Sequence, residues 1–598
     1  MYAIVAAAGL LILLLTPAFG CAGSLSVERK ETVAPAPPRE YVDTSLVPST
    51  GQTIRVHEGD DLQDALDMAQ LGDTIVLDAG VTFKGPFLLP RKTGTGWVTI
   101  RTSTPDKSFP APGTRVSLTH APLMPKLISW KGEGVIIADR GAHHYRFIGI
   151  EVQPSEGTYL HSLMLFGINR ERTLEDQPHH IIVDRCYIHG DPKKGSRRGV
   201  ALNGRHLAVV DSYVSDFKGV GEDTQAILGW GGAGPFKISN NYLEGAGENI
   251  MFGGGDPIIK DLVPSDIEVR GNHMAKPLRW KKNEPGFEGT QWTVKNIFEL
   301  KNARRVLVEG NVMEYNWEES QSGFAVLFTV RNQEGTAPWS VVEDVQLVNN
   351  IIRHTGSGIN LLGHDNNRPR EQSQETQRIL IRNNLWEDIG SARWGGTGIL
   401  FQMIEGSSDV NIDHNTGLHR GYTLFAMGPP HRRFTFRNNI APHNEYGIFG
   451  NDVGVGVAAL DAYFPDAVVT ENVLAGGEAS RYPEGNVFPD SMDAVPFVDR
   501  KAGNYRLASG IKNLKGPGVD AGALCAALSP SDAREQPMCS MRAAETRQSR
   551  SIASQPNFAR RRKRLRGVWR QCVRSFMKRE PSVNSRCSTP RSSRAGTR

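Results

Sequence analysis

Short stretches in which apolar and polar residues alternate recur along the chain, and each ends in a small polar residue. Three of them read V-Q-L-V-N-N at residues 345–350, I-L-I-R-N-N at 379–384 and F-T-F-R-N-N at 434–439. A period of two predicts strands that are buried on one side. Helical periodicity is nearly absent, so the pattern predicts an all-β protein.

The residues that follow these strands form a column at intervals of 24 to 39 residues, with a mean near 32. The column consists of Ile150, Cys186, Ser212, Asn241, Asn272, Asn311, Asn350, Asn384, Asn415, Asn439 and Asn472. A period of this length indicates a solenoid, a propeller or an array, and the strands are too short and too few for propeller blades. We expect stacked coils, in which each asparagine adopts left-handed backbone geometry and bonds to the coils above and below.

A single helical pattern precedes the repeat, within D-D-L-Q-D-A-L-D-M-A-Q-L-G-D-T-I-V-L at residues 60–77. Asp60 or Asp61 caps the predicted helix, Gly72 ends it, and a strand follows at Thr74–Leu77. Its narrow apolar stripe consists of Leu62, Ala65, Leu66 and Ala69. A stripe this narrow predicts that the helix covers another element.

The asparagine column and this opening helix resemble the right-handed parallel β-helix proteins of the pectate-lyase-like superfold, over roughly residues 51–524. The resemblance implies an all-β, single-stranded right-handed parallel β-helix with an asparagine ladder and an N-terminal capping helix. It also implies an exported carbohydrate-active protein whose substrate lies along the sheet that contains strands such as G-I-N-L-L. The motifs of polygalacturonases are missing, because Gly363–Asp365 reads G-H-D and no N-T-D is present. The fold by itself does not fix a reaction.

The first 21 residues predict export. They contain an apolar run that is short for a membrane span and typical of a signal peptide. Ala18-Phe19-Gly20 fits a signal-peptidase site, whereas Gly20-Cys21 resembles a lipobox in which Cys21 is lipidated. The expected location is therefore the periplasm, the outer membrane or the extracellular space, with membrane contact only through a lipid on Cys21.

The rest of the chain divides by composition. We predict a Pro-rich linker at 22–50, the β-helix at 51–524, a C-terminal segment at 525–540 and a basic, disordered tail at 541–598. The tail has 17 Lys and Arg against 2 Asp and Glu, which leaves −10 on the remainder of a chain with net charge +5. A basic surface for nucleic acid is therefore not expected on the body.

The cysteines have three readings. Cys525 and Cys539 could pair in an exported protein, and Cys186 is expected in the core. No Cys or His spacing matches a zinc motif.

The segment I-F-E-L-K at Ile297–Lys301 carries the main candidates for chemistry. Phe298 and Leu300 should point into the coil, so Glu299 and Lys301 should point out onto the substrate sheet. Other coils have small, apolar or amide residues at the matching positions. A surface ion pair without catalytic function is the alternative for this pair.

A lyase that acts on uronates needs a base near the C5 proton, positive charge for the carboxylate and a proton donor. We predict Lys301 as the base, with Glu299 beside it, and Arg198 or Arg331 as the neutralising cation. Loops beside the strands supply further candidates: Trp230, Trp317, Gln321 and His364 for substrate binding, and Glu222, Asp223 and Glu248 for calcium. The tryptophans could instead be buried in the core.

Three functions remain open from the sequence. The first is a lyase that cleaves an acidic polysaccharide, and the second is a glycoside hydrolase with two carboxylates on the same fold. The third is a monomeric surface protein that binds glycan without catalysis. The acidic body favours a polyanionic substrate only where calcium or Arg and Lys clusters offset the repulsion.

Overall fold

The computed structural model describes residues 32–367 and 372–508. Within them the chain winds through three long sheets, and each coil contributes one strand to each sheet in the same order. Neighbouring strands in these sheets are parallel, apart from one short antiparallel strand at the C-terminal end of sheet 3. The protein is a single-stranded right-handed parallel β-helix, as predicted.

Sheet 1 has 14 strands: Thr53–Val56, Thr74–Leu77, Val98–Thr102, His143–Ile148, His179–Asp184, Arg205–Val210, Phe236–Ser239, Ser265–Arg270, Ala303–Glu309, Val342–Val348, Gln377–Arg382, Ser408–Asp413, Thr435–Arg437 and Val468–Thr470. Sheet 2 has 13: Thr82–Lys84, Lys126–Ser129, Glu151–Pro154, Tyr187–His189, Tyr213–Phe217, Tyr242–Gly245, His273–Ala275, Val312–Asn316, Ile351–Thr355, Leu385–Ile389, Thr416–His419, Ile440–Pro442 and Val473–Ala475. Sheet 3 has 13: Phe87–Leu89, Ile136–Ala138, Met164–Phe166, Arg198–Leu202, Gln225–Gly229, Glu248–Phe252, Phe298–Leu300, Phe324–Thr329, Ser357–Leu362, Phe401–Ile404, Leu424–Met427, Ile448–Gly450 and Gly454–Val455. A separate hairpin pairs Phe497–Asp499 with Asn504–Leu507.

The helices are short. The α-helices are Leu62–Met68 and Val457–Tyr463, and the 3-10 helices are Asp106–Ser108, Leu118–Leu123, Leu278–Trp280, Ala479–Arg481 and Arg500–Ala502. No helix in the described part of the chain is long and apolar enough to cross a membrane.

Inward side chains of the three sheets form one core that runs from Val56 to Tyr482. Phe298 and Leu300 are fully buried in this core, as the alternation predicts. Cys186 is also buried there, and its thiol donates weakly to the carbonyl of Asp184. Burial of apolar surface along the whole rod is therefore the main term that stabilises the stacked coils.

The predicted asparagine ladder lies at the turn between sheets 1 and 2. Asn311 shows the pattern: its Oδ1 accepts from the backbone N–H of Asn272 at 2.9 Å, and its own N–H donates to Oδ1 of Asn350 at 2.9 Å. Its Nδ2 donates to the carbonyl of Val269 at 3.0 Å. The ladder continues one rung beyond the predicted column, because Asn472 donates to Oδ1 of Asn486.

The left-handed backbone geometry belongs to a different residue than predicted. The ladder asparagines do not adopt it, whereas the residue before each of them does, with φ of 56° at Asn240 and 59° at Asn349. The preceding residue makes the turn, so the prediction about the ladder residues' own backbone is wrong. What selects asparagine in the ladder is the pairing of its amide with two neighbouring coils.

The N-terminal end of the core is covered by the predicted helix, Leu62–Met68. The side chain of Asp61 caps it by accepting from the N–H of Gln63, and all four stripe residues are buried. The helix ends at Met68 and not at Gly72, because Ala69 already leaves helical geometry. At the other end, Val457–Tyr463 packs on the last strands of sheet 3 and buries Ala459 and Leu460 in the same core.

Residues 32–45, within the predicted linker, lie along the outside of sheet 1. Backbone N–H groups of Val33, Ala36 and Arg39 donate to carboxylates of Asp409, Asp344 and Asp266, at 3.0, 3.0 and 2.8 Å. Three residues of polyproline II helix rise about 9.3 Å, and two coils of a β-helix rise about 9.6 Å. Every third residue of a segment in polyproline II geometry can therefore meet every second coil.

Several sequence predictions lie outside the described residues. They are the signal residues 1–21 with Cys21, the pairing of Cys525 with Cys539, the segment 525–540 and the basic tail 541–598. These remain predictions.

Candidate substrate groove on sheet 3

A groove of about 450 Å³ lies on the outer face of sheet 3, between loops from successive coils. Its lining residues are Asn169, Arg197, Arg198, Asp223, Gln225, Leu228, Trp230, Met251, Gly254, Gly255, Asp256, Ile258, Lys301, Gln333, Glu334 and Thr336. Four residues predicted from the sequence are among them: Arg198, Asp223, Trp230 and Lys301. The lining combines cations, an indole ring and carboxylates.

Arg198 begins a strand of sheet 3 and lies against an aromatic ring. Its guanidinium carbon lies 5.0 Å from the ring centroid of Trp230, which follows the next strand of the sheet. Burial, and then the neighbouring Arg197, lower the pKa of Arg198 to about 10. The side chain therefore stays charged at neutral pH, and a cation beside an aromatic face suits a ligand that is both anionic and ring-shaped.

His161 joins the two arginines at this end of the groove. Its Nε2 lies 3.0 Å from Nη1 of Arg197 and 3.2 Å from Nη1 of Arg198. Burial, followed by the charges of Arg198 and Arg197, lowers the pKa of His161 below its usual value. The neutral imidazole accepts from the guanidinium groups and holds them in place.

Glu299 lies under the groove beside Lys301. It is paired in register with Met251 and Leu327 of the adjacent strands, and its side chain is buried by the covering loops. Its carboxylate accepts from Asn296 and Thr329, both at 3.0 Å, and lies 3.6 Å from Nζ of Lys301. The pair predicted from I-F-E-L-K therefore occurs, with the lysine facing the groove and the carboxylate beneath it.

Glu248 is a second carboxylate below this surface and is completely buried. It accepts from Nε2 of Gln225 at 2.7 Å. Burial, and then the carboxylates of Glu299 and Asp223, raise the pKa of Glu248 to about 7. Nearby Lys276 is also fully buried and donates to the carbonyls of Gly245 and Asn296, and burial lowers its pKa.

Replacement of Glu248 by glutamine is expected to stabilise the protein at pH 8 and to change little at pH 4. The folded pKa of Glu248 lies above its unfolded value, so its contribution to stability falls as pH rises between these two values and stays low above the folded pKa. At pH 8 the free energy of unfolding of Glu248→Gln should exceed that of the wild type by on the order of 3 kcal/mol. Thermal unfolding of both proteins at the two pH values measures it, with exposed Glu58→Gln as the control. Equal unfolding midpoints of the two proteins at pH 8 would contradict the raised pKa of Glu248.

Two more carboxylates form the opposite wall of the groove. The backbone N–H of Asp256 donates to Glu334, and Asp256 in turn accepts from the backbone N–H groups of Glu334 and Thr336, at 3.1 and 2.7 Å. Burial raises the pKa of Glu334. The wall is thus held together by hydrogen bonds between residues far apart in the sequence.

Other predicted site residues lie away from the groove lining. Trp317 is buried in a cluster with Trp280, Trp292 and Trp394. Arg331 pairs with Asp365 at 2.9 Å, and Nδ1 of His364 lies 3.1 Å from the carbonyl of Glu405.

Gln321 is half-buried, and its carbonyl accepts from the N–H of Glu319. Glu222 lies 3.4 Å from Nε of Arg197, next to the lining. Neither residue contributes to the groove wall.

The three carboxylates predicted to bind calcium do not form one ligand set. Glu222 pairs with Arg197, Asp223 with Lys295 at 2.5 Å, and Glu248 with an amide. Among the described residues, the one group of three acidic, His or Cys side chains with converging ligand atoms consists of histidines on sheet 1. The residues present therefore do not fit a calcium cage.

The sequence analysis missed His161, Lys295, Asp256 and Glu334. His161 stands two residues after Tyr159 in a loop that shows no period, and only the stacking of coils brings it to Arg198. Asp256 and Glu334 are 78 residues apart. The polar run Arg331–Glu334, just after a sheet 3 strand, was the available signal for Glu334, whereas Asp256 follows three glycines and shows no such signal.

No family model matches the chain, and no curated protein matches it. Among solved structures, it is similar to the catalytic unit of a GH87 α-1,3-glucanase from Streptomyces thermodiastaticus, with 13% identity, a TM-score of 0.47 and coverage of 76% of this chain and 73% of that chain. It is also similar to a mannuronic acid-specific polysaccharide family 6 lyase from human gut microbiota, with 13% identity, a TM-score of 0.43 and coverage of 74% and 93%. These likenesses accompany the β-helix fold described above and do not assign a reaction to this chain.

Proposed function

We propose that this protein is a polysaccharide lyase that cleaves an acidic polysaccharide by β-elimination in the groove on sheet 3. The observation that carries the proposal is the packing of the Arg198 guanidinium on Trp230, in the same groove as Lys301. This arrangement offers a positive charge for a uronate carboxylate, an aromatic face for the sugar ring and an amine for proton transfer.

The groove suits a polymer because it follows the stacked coils. Its lining comes from three successive strands of sheet 3 and from loops beside these and neighbouring strands, and the lining residues run from Asn169 to Thr336. Arg197, Arg198 and Lys301 place positive charge on a body that is otherwise acidic. Three carboxylates, Asp223, Asp256 and Glu334, line the same groove, so the carboxylates of a polyanion would be directed to the cations and not to the groove as a whole.

The proposed reaction begins when the carboxylate of a uronate binds Arg198. Lys301 exchanges between the ion pair with Glu299 and its free-base form. The free base removes the C5 proton, and the electron pair forms the double bond between C4 and C5 as the bond from C4 to the bridging oxygen breaks. The ammonium formed on Lys301 gives its proton to that oxygen, which leaves as a hydroxyl group. Arg198, held by His161, stabilises the negative charge that develops on the carboxylate during proton removal.

Glycoside hydrolysis is the second candidate function. It is favoured by Asp223 and Glu334, which both line the groove, and by the raised pKa of Glu334, which suits a general acid. In this alternative Lys301 and Arg198 bind the substrate and do not transfer a proton.

The test is to incubate the full-length protein with pectate, alginate and a glycosaminoglycan, with calcium and with EDTA. A lyase produces an unsaturated uronate that absorbs at about 235 nm, as β-elimination requires. New reducing ends without this absorbance would establish hydrolysis instead. Neither signal on any of the polymers would contradict both reactions and leave a glycan-binding protein. The EDTA arm tests the calcium requirement expected from the sequence, against which the pairing of Glu222, Asp223 and Glu248 with other groups argues. We also propose that the protein is exported.

A further inference from the structure

Five histidines from three successive coils form a cluster at the start of sheet 1 strands. They are His143 and His144, His179 and His180, and His206. The rings of His143 and His179 stack with centroids 4.8 Å apart, those of His144 and His180 at 4.5 Å, and those of His180 and His206 at 4.3 Å. Sheet 3, with the substrate groove, is a different face of the coil.

We propose that His144, His179 and His180 form a binding site for a divalent transition-metal cation. Each can offer one ring nitrogen, and these three atoms lie within 4.8 Å of one another. The site joins two coils, because His144 belongs to one strand and His179 and His180 to the next.

The neighbouring contacts set the tautomer of His144. The Nδ1 atoms of His179 and His180 lie 2.8 Å apart and share one proton, so one of these two rings must turn or change tautomer before both can bind a metal. Nε2 of His143 lies 3.0 Å from the carbonyl of Lys92, so it carries the proton and donates. Nδ1 of His143 is then an acceptor, and Nδ1 of His144, 2.8 Å away, donates to it. This leaves Nε2 of His144 with a free lone pair, and a histidine ligand oriented through its other nitrogen is typical of metal sites.

The chemistry of the donors selects the class of cation. Imidazole nitrogen suits zinc, nickel and copper, whereas calcium and magnesium prefer oxygen. The three rings are half-buried and so remain open to solvent.

The spacing along the chain gives no sign of this site. The two His-His pairs are separated by 36 residues, one full coil with its loops, so no short motif contains them. They meet because His143 and His179 are partners in the register of sheet 1.

The fluorescence of Trp97 provides a direct readout of metal binding at the histidine cluster. Its ring centroid lies 5.0 Å from that of His144 and 6.3 Å from that of His180. Nickel bound at the site should quench its fluorescence. The experiment titrates the full-length protein with Ni²⁺ and follows tryptophan fluorescence together with calorimetry, with Trp97→Phe to identify the signal.

The variants His144→Asn and His180→Asn remove a ligand while keeping a residue that tolerates the left-handed φ of 59° and 53° at these positions. His414→Asn is the matched control, since His414 has a φ of 57° directly after a sheet 1 strand at a distant coil. His179, which has no left-handed φ, is replaced by glutamine to keep the test decisive if the asparagine variants misfold.

We expect one equivalent of Ni²⁺ to bind the wild type and the His414→Asn control with saturable quenching. The three cluster variants should bind at least about 100-fold more weakly, a loss at the upper end of what outer-shell changes produce. Trp97→Phe should keep the calorimetric binding and lose the quenching. Equal affinity in the wild type and His179→Gln, or no saturable binding in the wild type, would overturn the proposal.

Discussion

Replacement of Lys301 by alanine is expected to lower the rate of β-elimination by about 10²–10⁴-fold, the usual contribution of a general base. Lys301 lines the groove with Arg198 and Trp230, and the proposed mechanism has no second amine there. Replacement by arginine should be nearly as damaging, because a guanidinium keeps the charge but does not release its proton in this pH range. The initial rate of absorbance change at about 235 nm on the preferred polymer measures both effects.

The pair of variants separates two roles for this lysine. If Lys301→Arg retains most of the activity, the side chain supplies charge and the base lies elsewhere. Lys107→Ala, an exposed lysine outside the groove, should behave as the wild type. Because removal of Lys301 leaves the buried carboxylate of Glu299 without its cation, circular dichroism must show that Lys301→Ala is folded before its rate is interpreted.

The fold could be predicted because its signals are local and repeated. Alternation within single strands, such as Phe298 and Leu300 inside the core, does not depend on loop length. The stripe of Leu62 and Leu66 identified the capping helix in the same way. The ladder was also visible, because each buried amide must pair with the next coil and asparagine meets that requirement at every rung.

The site could be predicted only in part, because loops of different length assemble it. Trp230 directly follows the sheet 3 strand Gln225–Gly229, and Trp317 stands in the loop before the sheet 3 strand Phe324–Thr329. The structure places the first against Arg198 and buries the second among three other tryptophans. The sequence of either loop does not show which tryptophan will line the groove, since the contacts that place each ring come from other coils. Asp256 and Glu334 were missed for the same reason.

Replacement of Asn311 by alanine is expected to destabilise the protein by about 3–5 kcal/mol, the largest effect we expect from a single ladder residue. The change leaves the backbone N–H and the Nδ2 of Asn272 without their shared acceptor, which lies at 2.9 and 3.0 Å in the wild type. It also leaves the carbonyl of Val269 without the Nδ2 donor. Each buried polar group that loses its partner costs about 1–3 kcal/mol.

Serine at position 311 should cost less than alanine. Ser212 already occupies a rung of the ladder, where its hydroxyl accepts from the N–H of Cys186 at 3.0 Å and donates to the carbonyl of Val210. A serine can therefore still accept from Asn272, although it cannot reach both neighbouring coils as an amide does. Thermal unfolding should rank the proteins as wild type, then Asn311→Ser, then Asn311→Ala.

Asn360→Ala is the matched control for the ladder, because Asn360 is a half-buried residue of sheet 3 whose Oδ1 accepts from Gln402. Its replacement should cost about 1 kcal/mol or less, as for an ordinary partly exposed hydrogen bond. Hydrogen exchange at the backbone amide of Asn272 gives the local test. This amide should lose protection in Asn311→Ala and keep it in Asn360→Ala, since stacked coils transmit stability mainly to their nearest neighbours. If both variants lowered the unfolding midpoint equally, the ladder would contribute no more than a surface amide, and the stability of the rod would depend on its apolar core.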